Sequence, residues 1–142
     1  SNKISASNAG YFMRIDFPDP GYSTLAELKG QKVTAVLGYS TEQELTRLGV
    51  DHIAVRSNKL GLKILLGKRV DFYYGSREAN QFLAKQLGLD KRIKYHRLIE
   101  NDFHLCFGQK WPGSLQLMAD FNKHLKEMKA DGSYDRIHDK YR

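Results

Sequence analysis

Short β-branched and aromatic segments alternate with helical segments of about ten residues, and this alternation constrains the fold more than any other feature of the chain. Parallel strands require crossover connections of this kind, so the pattern predicts an α/β fold with a mixed, mainly parallel sheet. The predicted strands are Tyr11–Ile15, Val33–Leu37, Ile53–Arg56, Val70–Tyr74, Lys94–Ile99 and Phe103–Phe107. The predicted helical segments between them are Thr24–Leu28, Thr41–Leu48, Asn58–Leu66 and the segment that Ser76 caps and that runs to Leu87.

The pattern changes after Trp111-Pro112-Gly113, where one long amphipathic helix is predicted over Ser114–Ala130. Gly132 ends it, and Ser133 caps a last short helix through Tyr141. An apolar stripe follows the 3.6-residue period of the long helix, at Met118, Phe121, Leu125 and Met128.

Composition limits the classes of partner. The chain has 142 residues and a formal net charge of +7, which favours anionic partners. Its positive residues are spread along the chain and interrupted by acids, and no zinc-finger or aromatic RNA-binding motif accompanies them, so nucleic-acid binding is a minor alternative. The segment Ser1–Gly10 is polar, which predicts a loose leader without the apolar core of a signal peptide.

No residue pattern indicates catalysis, a cofactor or a metal. Cys106 is the only cysteine and lies in a predicted strand, where a small buried hydrophobe is expected rather than a nucleophile. The five histidines are scattered without the spacing of a metal site. We therefore expect a non-enzymatic protein.

The segment Val33–Leu45 combines a strand, a glycine and the start of a helix. Free backbone N–H groups and the positive helix end meet there, as in many anion sites. Thr41 and Glu44 also fit a simple capping box. The residues alone favour the second interpretation, a turn that only begins a helix.

Three further segments, Ser23–Val33, Leu65–Phe72 and Leu125–Tyr141, together resemble the type 3 extracellular solute-binding proteins, the periplasmic amino-acid-binding components of ABC importers. Each contains a glycine after an apolar helical segment, Gly30, Gly67 and Gly132, where a left-handed conformation is expected. Asp71, just before a strand, is expected to bond local backbone.

The resemblance implies a type II periplasmic-binding-protein lobe whose partner, the first lobe, is largely absent from this chain. It implies a leader and inter-lobe strand at 1–22, the second solute-binding lobe at 23–107, and a return hinge with C-terminal helices at 108–142. In this family, the loop after the first strand of lobe two offers backbone amides and a hydroxyl to a carboxylate. That loop corresponds to Gly38, Tyr39, Ser40 and Thr41, which makes an anion site the better interpretation there.

The chain departs from the family pattern at the next turn that contacts the ligand in this family, the turn at Ser76–Glu78. The family places an acid there to pair with the α-amino group of the ligand, and this chain has Ser76 followed by Arg77. Glu78 is the alternative acid. Tyr74, at the end of the preceding strand, is expected to flank the ligand.

The function implied is binding of a small polar or anionic, amino-acid-like solute in the periplasm or cell envelope for uptake through an ABC permease. The alternative is a diverged sensory relative without a transport role. Because the stripe on the long helix would cover a first lobe in this family, its four apolar side chains are expected to find another partner in this chain. That partner is a second copy of the chain, through a two-fold contact, or a folded-back surface of lobe two.

Overall fold

The computed structural model describes residues 1–140. The chain divides into two compact units. The sheet unit comprises Asn8–Glu100, and the terminal unit comprises Ser1–Ser7 together with the chain from Asn101 onward. The strands are β1 (Lys3–Arg14), β2 (Val33–Val36), β3 (His52–Val55), β4 (Phe72–Ser76) and β5 (Ile93–His104), and the α-helices are α1 (Ser40–Leu48), α2 (Asn58–Leu66), α3 (Arg77–Gln86), α4 (Ser114–Ala130) and α5 (Ser133–Asp139).

The five strands form one sheet in the order β3-β2-β4-β1-β5. β2 runs parallel to both β3 and β4, with Val33 opposite His52 on one side and Phe72 on the other. β1 pairs antiparallel with β4, with Tyr11 opposite Tyr74. The α/β class and the mixed sheet predicted from the alternation of strands and helices are confirmed.

Two apolar clusters pack on the sheet unit, and the alternation of side chains along β4 separates them. Phe72 and Tyr74 enter one cluster with Tyr11, and Tyr73 enters the other with Phe12. All five side chains are buried, so both faces of the central strands are covered. This agrees with the near-continuous apolar sequence of strands that lie inside an α/β sheet.

The ends of the long strands differ from the sequence predictions. β1 begins at Lys3, although the sequence predicted a loose leader before Tyr11. A single strand, β5, covers most of the region where two strands were predicted. It ends at His104, so Cys106 lies beyond it and is exposed rather than buried. Strand pairing with distant residues extends both strands, and the local sequence does not report such pairing.

Two local predictions about helix ends are also wrong. Thr41 and Glu44 form no capping box, because Tyr39 is the N-cap residue of α1 and the carboxylate of Glu44 accepts a hydrogen bond from the Tyr74 hydroxyl at 2.5 Å. Gly67 after α2 has a φ of −78°, and the next residue, Lys68, takes the left-handed conformation with a φ of 59°.

Asp71 forms an ion pair rather than a local backbone bond. Its carboxylate accepts a hydrogen bond from Arg14 at 2.8 Å. The same guanidinium donates to the carbonyl oxygens of Leu65 at 3.1 Å and Val70 at 2.8 Å. One arginine of β1 therefore fixes the turn between α2 and β4, because a planar guanidinium can serve several acceptors at once.

The terminal unit contains α4 and α5, and α4 has the bounds predicted from its apolar period. The predicted last residue of α5, Tyr141, lies outside the described residues. The apolar stripe, for which a second copy of the chain or lobe two was the expected cover, is partly buried in the single chain. Leu125 is 7% exposed, and Met118, Phe121 and Met128 are half-buried.

Contacts within the terminal unit explain this burial. Phe121 packs against Phe107, with ring centroids 5.9 Å apart. The ammonium group of Lys129 donates to the carbonyl oxygen of Lys3 at 2.9 Å, and Tyr134 donates to that of Ile4. Backbone carbonyls at the start of β1 thus bind side chains of α4 and α5 within the terminal unit.

None of the helices in residues 1–140 combines the length and the apolar character needed to span a membrane.

We predict that Gly10→Ala destabilises the protein by about 3 kcal/mol, the upper part of the usual range for overpacking. A Cβ atom at Gly10 would lie 2.1 Å from the carbonyl oxygen of His96 and 2.8 Å from the Tyr95 hydroxyl. At Gly75, the residue paired with Gly10, the nearest atom is the side-chain nitrogen of Asn80 at 2.9 Å, which can move.

Chemical denaturation of the two alanine variants measures the difference. Gly75→Ala is the matched control, with an expected loss of about 1 kcal/mol. Equal losses in both variants would contradict the close approach of β5 to Gly10.

Candidate solute-binding site

Three helices begin at the same edge of the sheet unit. β3, β2 and β4 run parallel, and each is followed by a helix, which starts at Asn58, Ser40 and Arg77 respectively. Helix N-termini carry a partial positive charge and unpaired backbone N–H groups. The carboxyl edge of the parallel strands is therefore the part of the sheet unit best suited to bind an anion.

The three helix starts differ in how they are capped. The Ser57 hydroxyl accepts a hydrogen bond from the backbone N–H of Leu60 at 3.2 Å and closes the start of α2. The N-cap residues of α1 and α3 are Tyr39 and Ser76, and neither side chain forms a cap hydrogen bond. The N-cap side chains of α1 and α3 therefore accept no helical N–H as Ser57 does, and in α3 the Glu78 carboxylate accepts its own backbone N–H.

The loop before α1 contains the predicted anion-binding residues. Gly38 has a φ of 78°, which turns the chain from β2 into the helix. Its backbone N–H donates to the carboxylate of Glu42 at 3.3 Å, so this amide already has a partner. Tyr39 is 55% exposed, Ser40 is exposed and Thr41 is buried. The backbone N–H groups of Ser40 and Thr41, the other anion donors that the sequence predicts, lie in the first turn of α1.

The start of α3 contains Ser76, Arg77 and Glu78. The Ser76 hydroxyl donates to the Glu78 carboxylate at 3.2 Å. Arg77 is exposed; its Nε donates to Gln81 at 3.1 Å, and its guanidinium lies 5.9 Å from the centroid of the Tyr95 ring. The serine and the arginine that depart from the family pattern thus lie beside an acid.

Asn8 of β1 holds the Glu78 carboxylate. The backbone N–H of Asn8 lies 3.3 and 3.2 Å from its two oxygens, and the Asn8 side-chain amide donates at 2.9 Å. Partial burial opposes ionisation of Glu78, but the hydrogen bonds from Asn8 and Ser76 outweigh it and lower the pKa of the carboxyl. Glu78 is therefore an anion at neutral pH.

Tyr74 does not lie on the surface where the sequence placed it. Its side chain is 0% exposed, and its hydroxyl donates to Glu44. Tyr73 is also buried on the opposite face of the strand, with its hydroxyl on Asn58 at 2.8 Å. Burial raises the pKa of Tyr73, and the nearby Tyr39 hydroxyl adds to the shift. Both tyrosines of β4 support the site from inside the core.

The sequence did not reveal the partners Asn8 and Glu42. Asn8 lies 70 residues from Glu78 and reaches it because Ala9 pairs with Ser76 across the sheet. Glu42, in the first turn of α1, is a common helix residue, and only its position relative to Gly38 marks it. The antiparallel pairing of β1 brings the first of these contacts into place.

The site can bind charge, and it contains no group suited to covalent chemistry. It combines two helix starts and a guanidinium with two hydrogen-bonded carboxylates, Glu42 and Glu78. Within residues 1–140, no three or more histidine, cysteine, aspartate or glutamate side chains are grouped so as to hold a metal ion. Non-covalent recognition of a small anionic or polar group is what this arrangement can do.

No family model and no curated protein matches the sequence. Solved structures do match the fold. One is the GluR0 ligand-binding core from Nostoc punctiforme in complex with L-glutamate, with 19% identity and a TM-score of 0.72 over 99% of this chain and 63% of that one. Another is the unliganded, open L-cystine solute receptor of Neisseria gonorrhoeae, with 19% identity and a TM-score of 0.73 over 99% and 58%.

A third match is an ancestral arginine-binding protein bound to arginine, with 25% identity and a TM-score of 0.62 over 99% of this chain and 62% of that one. The chain therefore spans less than two thirds of the length of each of these proteins. The predicted resemblance to type 3 solute-binding proteins is confirmed at the level of the fold: almost the whole chain has the fold of part of an amino-acid-binding protein.

Proposed function

We propose that the protein binds a small anionic or polar, amino-acid-like solute at the carboxyl edge of the sheet unit, without chemical conversion. The observation that carries the proposal is the pair of helix starts at α1 and α3, which follow neighbouring parallel strands and lack side-chain caps. The matched solved structures support it, because two of those proteins hold glutamate and arginine and the third is an L-cystine solute receptor.

The anionic end of the solute binds the N–H groups of Ser40 and Thr41, with the Ser40 hydroxyl as a further donor. An anion at a helix start gains about 0.3–1 kcal/mol when exposed and about 2 kcal/mol when partly buried. Tyr39, more than half exposed beside these donors, provides an aromatic face for the rest of the solute.

An α-amino group finds little unused acceptor capacity at the start of α3. A carboxylate offers about four lone-pair positions. Three donors from Asn8 and Ser76 already bond the Glu78 carboxylate, and the backbone N–H of Glu78 is a fourth. We infer that the solute lacks a free α-amino group or that amino acids bind weakly, as the serine in place of the family's acid also predicts.

We further propose that the protein works in the periplasm or cell envelope and delivers the solute to an ABC permease. This rests on the resemblance to type 3 solute-binding proteins. Stimulation of the ATPase activity of the reconstituted permease by the solute-loaded protein would support transport. A sensory relative, which is the alternative, would leave that activity unchanged.

A homodimer through the terminal unit is a separate proposal. The side chains of Trp111 and Leu115 are 73% and 77% exposed. A groove of about 440 Å³ in the same unit is lined in part by Leu105, Phe107 and Leu115. Light scattering after size exclusion should give twice the chain mass, and a mass of one chain at micromolar concentration would contradict the dimer.

Acetate is the simplest probe of the α1 site. We predict that it shifts the amide resonances of Ser40 and Thr41 in NMR spectra of the protein in a saturable manner. The amide of Leu60 is the internal control, because the Ser57 hydroxyl already accepts its N–H at the start of α2. Equal responses at the two helices would mean that acetate reports only general helix-end electrostatics.

Calorimetry tests whether the start of α3 lacks an acceptor for the α-amino group of an amino acid. A 2-oxo or 2-hydroxy acid should bind at least as tightly as the amino acid with the same side chain. A new charge-assisted hydrogen bond from an ammonium group would instead contribute about 1.5–3 kcal/mol, or roughly ten- to a hundred-fold in affinity. Sub-micromolar binding of an amino acid, with such a preference over its 2-oxo acid, would contradict our role for Ser76 and Glu78.

A further inference from the structure

A hydrogen-bond chain connects the start of β3 with the loop before α1. The ring of His52 contacts the carbonyl oxygen of Val50 through Nδ1 at 2.8 Å and the Glu42 carboxylate through Nε2 at 3.2 Å. The other oxygen of Glu42 accepts the Gly38 N–H, and the Thr46 hydroxyl donates to Glu42 at 3.1 Å. Glu42 is thus the link between a histidine and the proposed solute loop.

The partners of the ring determine its protonation. A backbone carbonyl only accepts hydrogen bonds, so Nδ1 must carry a proton. An ionised carboxylate also only accepts, so Nε2 must carry one as well. The hydrogen bond from His52, followed by weaker contributions that include the Gly38 N–H, lowers the pKa of the Glu42 carboxyl and keeps it ionised. These two contacts fit the imidazolium form of His52, in which both ring nitrogens donate.

The side chains of His52 and Glu42 are both poorly solvated, so water screens the charge of each one only weakly. The His52 side chain is 11% exposed and that of Glu42 is 15% exposed. If His52 loses a proton, the Glu42 carboxylate stays beside the first turn of α1 without its positive partner. An uncompensated negative charge there repels an anion at Ser40 and Thr41.

We propose that His52 is a positioning residue for the solute loop and that, acting through Glu42, it makes anion binding stronger below its titration than above it. This inference rests on the proposed function. It adds a pH dependence that the helix starts alone do not provide, because histidine is the side chain that changes charge between about pH 5 and 8.

Few other groups near His52 can produce the same effect. β2, the strand paired with β3, carries no titratable side chain. α1 also carries Glu44, which the Tyr74 hydroxyl engages, and Arg47, which is exposed. Asp51, next to His52, is exposed. α2, which also packs against β3, carries Lys59 and Lys63. None of these side chains is a histidine, the residue type that changes charge between about pH 5 and 8.

The experiment is an NMR titration of the wild-type protein, first without any solute. Near pH 6, both ring nitrogens of His52 should be protonated, and the Gly38 amide shift should follow the titration of His52. Glu42→Gln should remove this coupling, because a neutral amide does not stabilise the imidazolium. A singly protonated His52 ring near pH 6 would overturn the proposal, and so would a Gly38 amide shift that does not change as His52 titrates. Neither result requires a variant.

The second readout is acetate affinity at pH 5.5 and pH 8, where acetate is ionised. We expect about five-fold weaker binding to the wild-type protein at pH 8, at the lower end of usual coupling energies. His52→Gln keeps a donor to Glu42 but no titrating charge, so its affinity should be independent of pH. His96→Gln is the matched control and should keep the wild-type pH dependence, since His96 contacts Asp19 instead.

Two outcomes distinguish a wrong role for His52 from a wrong solute site. If His52→Gln retains the pH dependence, the role of His52 is wrong and the solute site stands. If acetate fails to shift Ser40 and Thr41 at either pH, the proposed function is wrong, and the Gly38 response still decides whether His52 controls the loop.

Discussion

The antiparallel pairing of β1 with β4 is the constraint on which the rest of the sheet unit depends. Gly10 lies opposite Gly75, and the place of a Cβ atom at Gly10 is taken by the carbonyl oxygen of His96 and the Tyr95 hydroxyl. The pairing also places Asn8 beside α3. A shift of one residue in this register would move Tyr11 and Phe12 to the opposite faces of the sheet, each into the other apolar cluster. The packing of both clusters therefore fixes the register.

The candidate site results from this sheet geometry together with the way each helix begins. Three parallel strands deliver three helix starts to one edge, but a serine hydroxyl closes only α2. At α1 and α3, acids inside the first turn, Glu42 and Glu78, are held by hydrogen bonds to Gly38 and Asn8. The N-cap side chains of α1 and α3 accept no helical N–H, and the two carboxylates set the local charge that a solute meets.

Local signals allowed much of the fold to be predicted. Asn58–Leu66 and Ser114–Ala130 have the predicted bounds, because an apolar period, a start signal and an end signal agree within one segment. The α/β class followed from the alternation of elements. The loop at Gly38–Thr41 was predicted from a strand, a glycine and a helix start, and the structure places it at the carboxyl edge of the sheet.

The contacts that local sequence cannot report are the ones that were missed. The Asn8 side chain of β1 hydrogen-bonds to Glu78 of α3, and the His52 ring of β3 contacts the Glu42 carboxylate of α1. Tyr74 looked like a site residue because it ends a predicted strand, but both faces of β4 are covered and its ring is buried. Helix and strand periods specify which residues share a face, whereas only the assembled sheet specifies what covers that face.

Hydrogen–deuterium exchange tests the central claim most directly. The protein would be compared alone and saturated with the tightest binder among the amino acids and their 2-oxo acids. The account predicts that the solute slows exchange in two segments, 38–42 and 76–79, at the starts of α1 and α3. Slower exchange elsewhere, with both of these segments unchanged, would contradict a solute site at the carboxyl edge of the sheet.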